Sequence, residues 1–212
     1  MRRDLVGDVR LYLVTDASDL TRDYVPFLAD VIEAGVGMVQ LRDKSLSDKE
    51  LIAAARIFAQ ACRDNGALFI VNDRVDVALL CGADGVHLGQ DDAPPDDVRH
   101  IAGKDFIIGL STHTPEQVEV ANKTSADYIG VGPIRETPTK PGRPAVGLDL
   151  VRYAARAAQT PFFAIGGVDA ANAAEVIDAG AQSISVLRAI SNAADPVAAT
   201  REIVNAMTRV VP

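Results

Sequence analysis

The fold of this chain is most constrained by an alternation of short apolar, β-branched runs with longer amphipathic stretches, repeated eight times. Parallel strands connected through helices give this alternation, because each crossover returns the chain to the same end of the sheet. Eight such units in 212 residues predict an α/β fold, a single (β/α)8 TIM barrel that forms one domain over residues 1–212. The predicted strands are Leu11–Thr15, Met38–Leu41, Leu68–Val71, Gly85–Leu88, Phe106–Gly109, Tyr128–Val131, Phe162–Ile165 and Ser183–Val186.

Glycine marks the places where predicted helices end and the next strands begin. Gly35, Gly82 and Gly180 each follow a helix-period stretch, and glycine readily takes the left-handed conformation that closes a helix. The seventh helix is predicted over Ala170–Ala179, with Asp169 as its N-cap. A doubly wound open sheet is the alternative fold, but it would fit six or seven strands, and no G-x-G-x-x-G sequence follows the first strand.

Composition and charge exclude several classes of protein. The formal net charge of −8 argues against a non-specific nucleic-acid binder, which needs a basic surface. Cys62 and Cys81 lie in helix-like stretches without a CxxC spacing, so they are predicted to be free thiols in a reducing compartment. No run approaches the roughly 20 apolar residues of a membrane span, and no apolar signal segment follows Arg2 and Arg3. These observations predict a cytoplasmic protein that binds neither nucleic acid nor membrane.

Polar side chains are concentrated where the predicted strands end. Because functional residues of (β/α)8 barrels lie at the carboxyl ends of strands, these residues predict a binding or active site. The residues are Gln40, Arg42 and Lys44 after strand two, Asn72, Asp73 and Arg74 after strand three, His87, Gln90, Asp91 and Asp92 after strand four, Ser111, Thr112 and His113 after strand five, Arg135, Thr137, Thr139 and Lys140 after strand six, Gly166 and Gly167 after strand seven, and Leu187 and Arg188 after strand eight.

Two neighbouring predicted strands each lead to an aspartate, Asp73 and Asp92. Mg²⁺ is commonly held by one or two carboxylates, with substrate phosphate and water completing its octahedron. The pair therefore predicts a Mg²⁺ site at this rim. Two alternatives remain open: Asp73 could cap the helix that follows it, and Asp91 competes with Asp92 for the metal.

Basic and glycine-rich segments predict two anion sites. Arg42, Lys44 and Lys140 are interpreted as ligands of one anion. Gly167, predicted to lie at the start of helix seven, offers unhindered backbone N–H groups to a second, with Arg188 on the next loop. Two anion sites imply either one bis-phosphate substrate or two phosphorylated substrates that are joined. His87 is interpreted as either a hydrogen-bonded core histidine or a site residue.

Seven segments along the chain carry a more specific signal. They are QLRDK at 40–44, VNDR at 71–74, ADGVHLGQ at 83–90, GLSTHT at 109–114, DYIGVGPI at 127–134, TPTK at 137–140 and IGG at 165–167. Together they resemble the motifs of the thiamine-phosphate synthase family, also called thiamine-phosphate pyrophosphorylase. The resemblance covers about residues 11 to 190 and implies a Mg²⁺-dependent transferase.

The resemblance implies that 4-amino-2-methyl-5-hydroxymethylpyrimidine diphosphate joins a carboxylated thiazole phosphate. The products would be thiamine monophosphate, diphosphate and CO₂, formed by dissociative substitution. The implied substrate ligands are Gln40, Leu41, Arg42, Asp43, Lys44, Asn72, Ser111, Thr137, Pro138, Thr139, Lys140, Gly167, Leu187 and Arg188. Of these, Lys140, Arg42 and Ser111 would be catalytic, and Asp73 and Asp92 would hold Mg²⁺. Many members of the family carry Ser where this chain has Arg188, and a homo-oligomer is an open expectation.

Two other functions remain as alternatives. A TenI-like thiazole tautomerase would bind thiazole phosphate without joining it to the pyrimidine. The GQDD sequence at 89–92 and the complete TPTK segment at 137–140 favour the synthase, because the tautomerases resembling this chain lack them. A non-catalytic sensor of a phosphorylated ligand is the other alternative, but a full set of leaving-group ligands would have no use in it.

Overall fold

Eight strands form the centre of the computed structural model, which describes residues 2–18, 23–136 and 144–208. Each strand pairs in parallel with the next, and the last pairs with the first through Leu11 and Ile184, so the sheet closes into a barrel. The predicted (β/α)8 barrel is therefore confirmed. The strands are β1 (Leu11–Thr15), β2 (Met38–Leu41), β3 (Leu68–Asn72), β4 (Gly85–Leu88), β5 (Ile107–Thr112), β6 (Tyr128–Val131), β7 (Phe162–Ile165) and β8 (Ser183–Val186).

Helices surround the barrel, and local sequence explains where several of them begin. At the start of α2, Ser47 and Glu50 form a capping box in which each side chain bonds the other residue's backbone N–H. Thr114 caps α5 by accepting from the Gln117 N–H. The helices are α1 (Tyr24–Glu33), α2 (Asp48–Asp64), α3 (Val75–Cys81), α4 (Pro95–Ala102), α5 (Pro115–Ala121), α6 (Gly147–Ala157), α7 (Ala173–Asp178), α8 (Arg188–Ser191) and α9 (Pro196–Thr208).

The core has two layers because alternate side chains of a strand point to opposite faces. The outer layer packs between strands and helices. The inner layer fills the barrel and consists of Val6, Val9, Tyr12, Met38, Leu68, Ile70, Ile107, Tyr128 and Phe163. Two tyrosine hydroxyls thus lie within this otherwise apolar layer, where each of them needs a hydrogen-bond partner.

A 3-10 helix, Arg2–Asp8, covers the amino-terminal end of the barrel. The Arg2 guanidinium donates to the Asp84 carboxylate just before β4, with Nε 2.6 Å from Oδ1. Arg3 pairs in the same way with Asp127, just before β6. These ion pairs hold the 3-10 helix against the end of the barrel that is opposite the predicted site.

The structure corrects the predicted bounds of β3, β5 and α7 and adds one helix; β3 extends to Asn72. Strand β5 continues to Thr112, so Ser111 and Thr112 lie inside the strand and not after it. Helix α7 begins at Ala173 and not at the predicted Ala170, because the Asp169 carboxylate accepts from the Ala171 and Asn172 N–H groups and forms a turn there. Helix α8 was not predicted, since four residues give no readable helical period.

Both cysteines, Cys62 and Cys81, are free thiols, as predicted, and both are buried. Among residues 2–18, 23–136 and 144–208, no helix has the length and apolar character needed to cross a membrane.

Candidate active site

A cavity of about 500 Å³ opens at the carboxyl ends of the strands. Most of its polar wall comes from inward-facing strand residues and from the loops that follow them. It brings together predicted site residues from five separate βα units. These residues are Gln40, Arg42, Asn72, Asp73, Ser111, Gly167, Leu187 and Arg188.

Several other predicted site residues lie elsewhere. Leu41 is buried in the layer between strands and helices, with 1% of its surface exposed. The Asp43 carboxylate accepts from the N–H groups of Ala17 and Ser45 at 3.1 and 2.8 Å, so it joins its own loop to the segment after β1. The predicted ligands Thr137, Pro138, Thr139 and Lys140 lie outside the described residues.

Asp73 and Asp92 lie next to each other at the carboxyl ends of β3 and β4. Burial raises the pKa of Asp73, and the negative charge and side-chain hydrogen bond of Asp92 raise it further. Lys44 acts in the opposite direction, with Nζ 3.4 Å from Asp73 Oδ2. Asp92 Oδ2 also accepts from the Gly89 N–H at 2.6 Å. Because adjacent carboxylates repel each other, this pair favours a cation beside it.

The backbone of Asp73 adopts an uncommon conformation that directs its side chain. Its φ of 59° lies in the left-handed region, which non-glycine residues rarely occupy. The Asp73 N–H donates to the His87 carbonyl at 2.8 Å, and the Arg74 N–H donates to the Asn72 carbonyl at 2.7 Å. Strained backbone of this kind often accompanies functional sites, and the strained residue is held here by one backbone bond to β4.

The donor set fits Mg²⁺ when a substrate completes it. Within the described residues, no group of three or more His, Cys, Asp or Glu side chains could hold a metal by itself. Two adjacent carboxylates, of which Asp73 lines the cavity, are instead the kind of set with which Mg²⁺ commonly binds a phosphorylated substrate. The neighbouring Asp91 is not among the groups that perturb Asp73, whereas Asp92 is, so Asp92 is the better-placed second ligand.

Two arginines line the cavity without compensating charges. Arg42 follows β2, and Arg188 is the first residue of α8 after β8. Over residues 2–18, 23–136 and 144–208, neither guanidinium forms a hydrogen bond or ion pair. Uncompensated guanidinium groups that face a cavity are suited to bind phosphate oxygens.

The loop after β7 offers backbone donors on the side of the cavity that carries Arg188. Gly167 has a φ of 70°, and a Cβ there would lie 2.8 Å from the Arg135 Cβ, so only glycine fits. The N–H groups of Gly167 and Val168 donate to no described residue. The prediction that helix seven begins at this loop is wrong, since α7 starts at Ala173. Any anion held here is therefore bound by the loop itself.

A chain of polar side chains forms the floor of the cavity, and sequence reasoning missed its two tyrosines. The Gln40 side-chain amide donates to the Tyr12 hydroxyl. The Tyr12 and Tyr128 hydroxyls are 2.9 Å apart, and Tyr128 Oη is 3.1 Å from His87 Nδ1. His87 Nε2 is 2.9 Å from Ser111 Oγ. We call these five residues the interior hydrogen-bond chain; in it, His87 is both a bonded core histidine and part of the cavity wall.

Ser185 presents an unsatisfied hydroxyl to the same cavity. Its Oγ is buried and has no hydrogen-bond partner among the described residues. It faces inward from β8, where it pairs in register with Tyr12. A buried hydroxyl without a partner destabilises the protein by about 1–3 kcal/mol, and a bound ligand could supply the missing bond.

We expect Ser185→Ala to leave the free energy of unfolding unchanged or to raise it by up to about 1 kcal/mol, because an unsatisfied buried group is removed. Chemical denaturation of the purified variant measures this difference. Ser183→Ala is the matched control on the same strand. Its Oγ donates to the Val9 carbonyl at 2.7 Å, so about 1 kcal/mol should be lost there. An equal loss in both variants would contradict the assignment.

The fold and site together define a class: a (β/α)8 barrel with a polar cavity at the carboxyl ends of its strands and a carboxylate pair beside that cavity. Comparison with known proteins then identifies the family. A family model described as thiamine monophosphate synthase matches residues 11–190. The chain belongs to this family.

Individual relatives agree with this result. A thiamine-phosphate synthase from Acidothermus cellulolyticus is 51% identical over 93% of this chain and 94% of its own length. One from Thermosynechococcus vestitus is 48% identical over 99% of this chain, which spans only 59% of that longer protein. A thiamine phosphate pyrophosphorylase structure from Pyrococcus furiosus superposes with a TM-score of 0.86 at 33% identity, covering both chains entirely. The prediction of an enzyme is confirmed, and the sensor alternative is set aside.

Proposed function

We propose that this chain joins 4-amino-2-methyl-5-hydroxymethylpyrimidine diphosphate to a carboxylated thiazole phosphate, releasing diphosphate and CO₂ and forming thiamine monophosphate. The coarser assignment, thiamine-phosphate synthase, rests on the family and its relatives. The observation that carries the finer proposal is the carboxylate pair of Asp73 and Asp92 beside Lys44, at the mouth of the cavity. Such a pair would hold the cation that stabilises a departing anionic group.

Departure of diphosphate requires neutralisation of the charge that develops on its oxygens. Arg42 and Lys44 reach the cavity mouth from the loop after β2, and Lys140 is proposed to join them. Asp73 and Asp92 are the residues that would hold Mg²⁺, whose charge when bound stabilises the leaving group. Ser111 would donate to the same substrate from inside the barrel.

The second substrate is proposed to lie towards β7 and β8. The N–H groups of Gly167 and Val168, which have no partner among the described residues, and the guanidinium of Arg188 would bind its phosphate, with Leu187 beside them. Thr137, Pro138 and Thr139 are proposed to contact the thiazole ring. A dissociative substitution needs no strong general base at the reacting carbon, and the site relies on charge stabilisation and exclusion of water.

We expect Arg188→Ala to raise KM for the thiazole phosphate by about 10- to 100-fold, because one charge-assisted hydrogen bond to phosphate is lost. KM for the pyrimidine diphosphate should change less than threefold. Arg188→Ser tests the residue that many family members carry, and we expect it to recover part of the loss. Equal increases in both KM values would contradict the placement of the thiazole phosphate beside Arg188.

Product analysis with each substrate omitted in turn tests the proposed reaction. Thiamine monophosphate and CO₂ should form only when both substrates are present. A TenI-like tautomerase would instead isomerise the carboxylated thiazole phosphate alone and give no thiamine monophosphate with either mixture. A cytoplasmic location and a homo-oligomeric state remain predictions.

A further inference from the structure

We infer that Tyr12, Tyr128 and His87 are positioning residues. The two tyrosines fix His87 as its Nε2–H tautomer, and His87 in turn leaves the Ser111 hydroxyl to donate its proton into the cavity. The interior hydrogen-bond chain has Gln40 at one end and Ser111 at the other, and both end residues line the cavity. The three middle residues connect two ligand-facing groups that are 71 positions apart in sequence. The consequences for catalysis rest on the proposed function, but the tautomer does not.

The direction of donation along the interior hydrogen-bond chain follows from counting protons. Burial raises the pKa of Tyr12 and Tyr128 above the ordinary tyrosine range, so each keeps its single hydroxyl proton. The Gln40 amide donates to Tyr12 Oη, which leaves the Tyr12 proton for Tyr128, 2.9 Å away. Tyr128 then donates to His87 Nδ1 at 3.1 Å. A neutral imidazole that accepts at Nδ1 carries its proton at Nε2.

The last bond sets the role of Ser111. His87 Nε2 lies 2.9 Å from Ser111 Oγ, and in this tautomer it is the donor. Ser111 therefore accepts from the histidine, and its own proton remains available to a ligand. Its backbone is fixed as well, because the Gln90 side-chain amide donates to the Ser111 carbonyl at 2.6 Å.

The reverse direction would present opposite groups to the cavity. If each bond reversed, Ser111 would donate to His87, and Gln40 would direct its NH₂ group away from Tyr12. In the direction inferred here, Gln40 keeps a carbonyl oxygen for a ligand, and Ser111 keeps a hydroxyl proton. This combination is complementary to an aminopyrimidine diphosphate. The Gln40 oxygen can accept from its amino group, and the Ser111 hydroxyl can donate to a ring nitrogen or a phosphate oxygen.

The barrel is built around the His87 and Tyr128 rings. A Cβ at Gly109 would lie 2.2 Å from Tyr128 Cζ and 2.6 Å from His87 Nδ1, and a Cβ at Gly130 would lie 3.3 Å from His87 Cε1. The ring centroids of His87 and Tyr128 are 5.5 Å apart. Strands β5 and β6 thus lack side chains where the two rings need the space, which holds the rings in one arrangement.

Nitrogen-15 NMR of the imidazole side chains in the full chain, without substrate, tests the tautomer directly. We expect the His87 signals of the Nε2–H form, with Nδ1 as the acceptor. Tyr128→Phe removes the donor to Nδ1 and should shift His87 towards the other tautomer or a mixture. Signals of the Nδ1–H form in the unmodified protein would overturn the inference.

Kinetics of matched variants separate positioning from packing. Tyr128→Phe should lower kcat/KM for the pyrimidine diphosphate by about tenfold, the effect of misdirecting one hydrogen bond, with KM for the thiazole phosphate unchanged. Tyr12→Phe should give a similar loss while keeping the His87 tautomer, because Tyr128 can still donate to Nδ1. Tyr153→Phe is the control, since its hydroxyl bonds Glu119 at 2.7 Å outside the cavity.

The possible results distinguish this inference from the proposed function. If Tyr128→Phe loses the Nε2–H tautomer but keeps unchanged kinetics, the interior hydrogen-bond chain has only a structural role, and the positioning role is overturned. An Nε2–H tautomer in a protein that forms no thiamine monophosphate would refute the proposed function alone. If Tyr128→Phe does not fold, the tautomer of the unmodified protein and the Tyr12→Phe kinetics still decide the matter.

Discussion

Asp73→Asn should lower kcat for thiamine monophosphate formation by about 10³-fold, with the protein still folded. One charged ligand of the leaving-group site is lost, and removal of a single preorganised charge-stabilising group costs about 10²–10³-fold. Asparagine tolerates the left-handed conformation that residue 73 adopts. The ion pair that is lost has a largely exposed Lys44 side chain and contributes little stability.

The measurement is a steady-state assay at saturating substrates, with thermal unfolding of the same preparations. Asp92→Asn should behave like Asp73→Asn. Asp91→Asn should keep kcat within about threefold, because Asp91 does not affect Asp73. Mg²⁺ with diphosphate should raise the unfolding temperature of the unmodified protein but not of Asp73→Asn, since only a bound ligand stabilises the folded state. Normal turnover by folded Asp73→Asn would contradict the metal assignment.

Gly109→Ala should destabilise the protein by about 3 kcal/mol or more. The added Cβ would lie 2.2 Å from Tyr128 Cζ and 2.4 Å from its hydroxyl oxygen. Overpacking of a rigid core commonly costs about 1–3 kcal/mol. Displacement of Tyr128 also breaks its bonds to Tyr12 and His87, at roughly 1 kcal/mol each.

Urea unfolding monitored by circular dichroism measures this loss. Gly7→Ala is the control, because a Cβ at Gly7 meets no atom within 4 Å, and we expect a change of less than about 0.5 kcal/mol. A Gly109→Ala protein as stable as the unmodified one would show that the Tyr128 ring can move freely. That result would also weaken the inferred role of the interior hydrogen-bond chain.

The sequence predicts the barrel and the position of its cavity because both depend on simple periodicities. Asp73 and Asp92 follow neighbouring parallel strands, and the carboxyl ends of such strands meet at one rim, so their proximity could be expected without coordinates. The same argument brings Arg42 and Ser111 to the cavity. Residue type and strand order are sufficient for these predictions.

The interior hydrogen-bond chain could not be predicted in this way. Tyr12 and Tyr128 are 116 residues apart, and they meet only because the register of the closed sheet brings β1 and β6 side chains to one level inside the barrel. Alternation indicates that a side chain points inward, but it does not identify its partner across the barrel. The small residue at Gly109, opposite a histidine and a tyrosine, is the one signal in the sequence that could have indicated them.

The measurement that most directly tests the central claim is the time course of diphosphate and thiamine monophosphate formation, with Mg²⁺ and with the metal removed by a chelator. If Asp73 and Asp92 hold Mg²⁺ against the departing diphosphate, both products should appear together with Mg²⁺, cease on chelation and return when Mg²⁺ is restored. Undiminished formation of both products in the metal-free protein would contradict the account.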